Sequence, residues 1–103
     1  MVRTRNRIIA ERTILEYCKK NNIDDKAFKQ WISIARRSII RNFDDLSKNF
    51  RAPDKAGKNV VFNVGGNNYS IICEVQIRPD RSTFYVLFIG THTEYDKINA
   101  AEL

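Results

Sequence analysis

Near residue 59 the spacing of apolar residues changes from helical to strand-like, and that change limits what this chain can fold into. Before it, Phe28, Trp31, Ile32, Ala35 and Ile39 recur at intervals of three and four, so they share one face of a helix with 3.6 residues per turn. After it, Val60, Phe62 and Val64 alternate with Val61 and Asn63, the two-residue period of a strand. Helical pattern first and strands afterwards is the order of an α+β domain.

The remaining elements follow from local chemistry. Arg7–Ala10, with Ile8-Ile9, reads as a short edge strand or the opening of a helix. Glu11–Lys20 sets Ile14, Leu15, Tyr17 and Cys18 among charged residues, an amphipathic helix. Asn21-Asn22 ends it, because asparagine tolerates the left-handed conformation at a helix C-terminus. Asp24 or Asp25 caps the next helix, with Ile23 placed to staple against Phe28. Asn42 and Asp45 start a short turn carrying Leu46 and Phe50, and residues 52–58 read as a basic, breaker-rich loop. Gly65-Gly66-Asn67-Asn68 and Arg78–Ser82 are turns, bounding a second strand whose inner face is Tyr69, Ile71, Cys73, Val75 and Ile77. Thr83–Ile89 is a third strand, and the tail enters a helical turn capped by Thr93. The expectation is a single domain, 1–103. Two N-terminal helices pack on one face of a small antiparallel sheet of three to four strands, and the other face stays open.

Composition narrows the function. The chain of 103 residues carries a net charge of +6, concentrated before residue 59. Residues 59–103 hold three basic residues against five acidic ones. Such a surface suits a polyanion, and serves an acidic protein partner equally well. No apolar run is long enough to cross a bilayer, and no apolar stretch of signal-peptide length follows Arg3, Arg5 and Arg7, so the expected compartment is the cytoplasm. Cys18 and Cys73 lie in apolar patterns and read as buried, reduced thiols.

Two segments carry a resemblance. Val61-Phe62-Asn63-Val64-Gly65-Gly66-Asn67-Asn68-Tyr69 and Gly90-Thr91-His92-Thr93-Glu94-Tyr95-Asp96 resemble the paired signature of HigB toxins of the RelE superfamily. Arg7-Ile8-Ile9 and Ala27-Phe28-Lys29-Gln30-Trp31 extend it over nearly the whole chain. The resemblance implies a RelE-like α+β fold and a ribosome-dependent endoribonuclease acting on messenger RNA. It also implies a HigA-type helix-turn-helix antitoxin as partner, with DNA reached only through that antitoxin. The chain departs from the pattern at Ser70 and Leu87, where the family usually carries arginines. Both positions are expected on strands lining the open face.

Cutting RNA without a metal requires a proton taken from the 2′-hydroxyl, a proton given to the leaving 5′-oxygen, and cations for the charge on phosphate. His92 is the only histidine, and its ordinary pKa of ~6.5 suits either transfer. By its residue type alone it reads as capping the C-terminal turn; within the motif it reads as the proton-transfer residue. Tyr95 and Asp96, three and four residues on, share a helical face with it. They either orient substrate and imidazole or pack and cap. Lys55, Lys58, Arg78, Arg36 and Arg37 are the candidate phosphate contacts. No spacing of histidines, cysteines and acids suggests a metal site, Gly65-Gly66 lacks the rest of a phosphate loop, and no cofactor is expected. Two other functions share this fold: a non-catalytic RNA-binding module, with Tyr85 stacking a base, and a degenerate toxin kept as an antitoxin-binding corepressor.

Overall fold

The computed structural model describes residues 5–66 and 68–103. Asn67 of the expected turn, and Arg3, lie outside them. The elements run β1 (Arg7–Ile9), α1 (Glu11–Lys20), α2 (Lys26–Arg37), α3 (Asp44–Asn49), β2 (Asp54–Ala56), β3 (Asn59–Val64), β4 (Tyr69–Gln76), β5 (Thr83–Thr91) and α4 (His92–Tyr95). A 3-10 turn, Ala100–Glu102, follows.

The strands form one sheet in the order β1-β5-β4-β3-β2. The β3–β4–β5 meander is antiparallel, as the alternation predicts. The sheet is nevertheless wider than expected and mixed. Arg7–Ile9 is indeed an edge strand, but it lies parallel to Thr83–Tyr85, which makes the sheet five-stranded and not purely antiparallel. Residues 54–56 also leave the expected loop and pair antiparallel with Val61, Val60 and Asn59. Three residues flanked by Pro53 and Gly57 are too few to show a period, so the strand was hidden in a run of turn formers.

α1 and α2 cover one face of the sheet. Phe28, Trp31, Ile32 and Ala35 are buried, as their spacing requires. Trp31, Phe50, Phe62 and Phe84 form an aromatic cluster with ring centroids 4.7–6.1 Å apart. Ile39, expected in the same stripe, is 60% exposed, and Ile40 is buried in its place. The helix stops at Arg37, and Ser38 is extended at φ −67° and ψ 139°, so the register changes before Ile39. The break is held by Asn6. Its amide donates to the carbonyls of Ala35 (2.8 Å) and Ser38 (2.7 Å), and its oxygen accepts from the Ser82 N–H at 3.0 Å. One buried side chain thus joins the end of α2 to the start of β5.

The turn before α3 is built as expected: Asn42 Oδ1 accepts from the Asp45 N–H at 3.1 Å, and Leu46 and Phe50 are buried. Asp45 itself is only 2% exposed. The Arg41 guanidinium and backbone N–H, with Lys48 nearby, hold its carboxyl well below the usual carboxylate range. A carboxylate depressed in the folded state adds stability above its unfolded pKa of ~3.9, and that stability disappears as pH falls through the lower folded value. The urea midpoint is therefore expected to fall below about pH 4, and to fall less steeply for Asp45→Asn. Identical acid slopes for the two proteins would remove Asp45 from the account.

The other face of the sheet is not left open. Val61, Ile72 and Ala100 are buried together, with Phe88, Tyr95 and Ile98 packed against them. Asn59 ties the tail down by donating to the carbonyl of Ala100 at 2.8 Å. Ser70, expected on an open face, is fully buried, while Leu87 beside the irregularity in the β4–β5 register is 41% exposed. Cys18 and Cys73 are free and buried, as expected. No helix among the described residues is long and apolar enough to cross a membrane.

Candidate functional site

His92 begins α4 at the point where β5 leaves the sheet. The cap of this turn is Thr91, not Thr93: Thr91 Oγ1 accepts from the Glu94 N–H (3.1 Å), and Glu94 Oε1 accepts from the Thr91 N–H (2.9 Å). The expected cap lay two residues late because the strand runs to Thr91 instead of ending at Ile89. A reciprocal threonine–glutamate cap satisfies two backbone donors at once.

Glu94 does more than cap. The Tyr17 hydroxyl of α1 donates to the same Oε1 at 3.2 Å. Burial, then the negative charge of Glu94, pushes the Tyr17 phenol up to about 12. The hydroxyl therefore remains a donor through the neutral range. The Thr91 bonds in turn hold the Glu94 carboxyl below its ordinary value. Gly90 is required by close approach: a Cβ there would stand 2.7 Å from Phe88 Cζ and 3.2 Å from Glu94 Oε1. The residues around the histidine thus fix the turn to a strand, a neighbouring helix and its own backbone. The His92 N–H adds a bond to the Asn68 carbonyl at 3.0 Å.

On this fixed turn three of the expected site residues meet. The His92 and Tyr95 rings stack with centroids 5.8 Å apart and planes at 28°. His92 Nε2 lies 3.8 Å from Asp96 Oδ1, within ion-pair range and beyond a direct hydrogen bond. Both side chains are more than half exposed. The Tyr95 ring also packs against the cluster of Val61, Ile72 and Ala100.

The five expected phosphate contacts lie elsewhere. Tyr69 pairs with Thr91 at the histidine end of the sheet, whereas Gln76 pairs with Thr83 at the other end, roughly 23 Å away at ~3.3 Å per residue. Arg78 follows Gln76 and donates to the Ile77 carbonyl at 3.0 Å. Lys58 reaches Glu74 at 3.5 Å, and Lys55 lies over the Phe43 ring, 5.4 Å from its centroid. Arg36 is ion-paired with Glu11, and Arg37 donates to Ser33 Oγ at 2.9 Å. Arg36 and Arg37 line a basic groove with Arg5 and Lys29.

A cation at the histidine end was missed. Arg51 follows α3 and borders a cleft of about 400 Å³ between α2 and the Gly65-Gly66 turn. Val64 pairs with Tyr69 and Tyr69 with Thr91, so this cleft opens at the level of His92, two strands across. Nothing in the local spelling of Phe50-Arg51-Ala52 marks it; only the strand register brings it there.

No curated protein sequence matches the chain. A family model described as HigB toxin, RelE-like toxic component of a toxin-antitoxin system, matches residues 24–98. That span runs from just before α2 through the whole meander and the His92 turn, so the chain belongs to the HigB family of RelE-like toxins.

Proposed function

We propose that this toxin is an endoribonuclease that cuts messenger RNA during translation, by metal-free attack of a 2′-hydroxyl on the adjacent phosphate. As a toxin of a toxin–antitoxin system it has an antitoxin partner; the proposal takes that partner to be of the HigA type and the site of action to be the ribosome, in the cytoplasm. The observation that carries the reading is the exposed His92, held with Tyr95 and Asp96 on a turn bonded to β5 and α1.

His92 moves the proton, Asp96 lies beside its ring at 3.8 Å, and Tyr95 orients the substrate by stacking. Lys55, Lys58 and Arg78 are too far along the sheet to touch the same phosphate, so their role is to hold the RNA strand beyond it. The basic groove of Arg36 and Arg37 serves as a contact to ribosomal RNA, weakened by salt.

A second reading rests on the same distances. Since the five expected phosphate contacts lie away from His92, a chain that binds antitoxin or RNA without cutting accounts for the fold equally well. Regulated expression with and without antitoxin, followed by mapping of RNA 5′ ends, separates the two. New ends within translated messages are expected when antitoxin is absent. Arrest of neither growth nor translation, with no new ends, would sink the nuclease and leave the binding reading.

A further inference from the structure

The cleft beside the Gly65-Gly66 turn has no part in the chemistry above. Its inner wall is apolar, from half-buried Ala27 and Ile34 and the small exposed parts of Trp31 and Phe50. Its rim is polar, from Gln30, Asn63 and Arg51. These three side chains are exposed and make no side-chain hydrogen bond or ion pair among the described residues. The indole N–H of Trp31, in the wall, is buried without a hydrogen-bond partner there. A volume of about 400 Å³ is within the range of small-ligand sites. The edge of β3 is also bare at this point, because β2 covers only Asn59–Val61 and leaves Phe62–Val64 without a strand on that side.

We infer that this cleft is a nucleotide subsite, taking one unpaired nucleotide of the RNA strand that flanks the bond presented to His92. The apolar wall meets the body of a base, and the Gln30 and Asn63 amides offer a donor and an acceptor to its edge. Arg51 meets a phosphate with the planar fork that suits it. An acidic peptide would use Arg51 but leave the amides and the apolar wall without purpose. The position agrees: two strand spacings, roughly 10 Å, separate Val64 from Thr91. A single strand spans that distance within a few nucleotides. The inference rests on the RNA-cleaving reading, but its test does not depend on cleavage.

Trp31 is the only tryptophan, so its emission reports on this wall alone. Titrating the full chain with a labelled single-stranded hexaribonucleotide is expected to quench Trp31 and raise the label's anisotropy together. Arg51→Ala is expected to weaken both signals about tenfold, as loss of a charge-assisted phosphate contact does. Gln30→Ala should weaken them less, and circular dichroism checks that each variant folds. Anisotropy without quenching, equal affinity in Arg51→Ala, or no binding by the unaltered chain overturns the subsite. So does quenching by an acidic peptide in place of RNA, or by a free nucleoside monophosphate as effectively as by the strand. If RNA binds with dependence on Arg51 yet is never cut, the subsite stands and the nuclease reading fails.

Discussion

Replacing His92 with alanine is expected to lower RNA cleavage by about 10²–10⁴-fold, the usual contribution of a positioned proton-transfer group. Stability should stay within about 0.5 kcal/mol, since the ring is half exposed and buries little. Its backbone bond to Asn68 and the Thr91–Glu94 cap survive the substitution. Asp96→Asn should cost less, because at 3.8 Å the carboxylate influences the imidazole without a direct hydrogen bond. Single-turnover cleavage of a message on programmed ribosomes, with thermal melts of each variant, measures both. A His92→Ala protein that cuts at full rate would leave family membership intact and remove the mechanism.

Phe62→Ala should have the largest effect on stability. Phe62 is 1% exposed and touches Trp31, Phe50 and Phe84, so its ring joins α2 and the end of α3 to the sheet. Emptying such a site costs about 3–5 kcal/mol. At roughly 4–8 °C per kcal/mol for a chain of this size, much of the melting range is lost. Domains have about 5–15 kcal/mol in total, so the variant should lie near the edge of folding. Phe62→Leu, which keeps most of the volume, should lose far less. Equilibrium urea unfolding decides; a loss below about 1 kcal/mol would show that the cluster closes over the gap.

Where one residue pattern repeats, the sequence was readable. The Phe28–Ala35 stripe and the Val60–Val64 alternation place α2 and β3 because each repeats its period several times. β2 and the parallel pairing of β1 were not readable in this way, since three residues carry no period and a partner 76 positions away leaves no local mark. The same reason separates the site residues. His92, Tyr95 and Asp96 are neighbours in sequence, so one helical turn was enough to bring them together. Arg51 reaches the histidine end only through the register of three strands. Ser70 failed for a different reason. Alternation correctly assigns its face, but not the tail that Asn59 fastens across that face.

β1 gives the protein a directional assembly. Arg7–Ile9 is made first but pairs with Thr83–Tyr85, and Asn6 finds the Ser82 N–H only when that strand is present. Contacts between such distant residues must wait for the intervening chain and are slow to close. During synthesis the first strand therefore stays unpaired until β5 has been made, and the His92 turn immediately follows β5. A ribosome making this toxin completes the sheet and the turn that carries the histidine almost together, long after it has made β1. A partly made chain has neither.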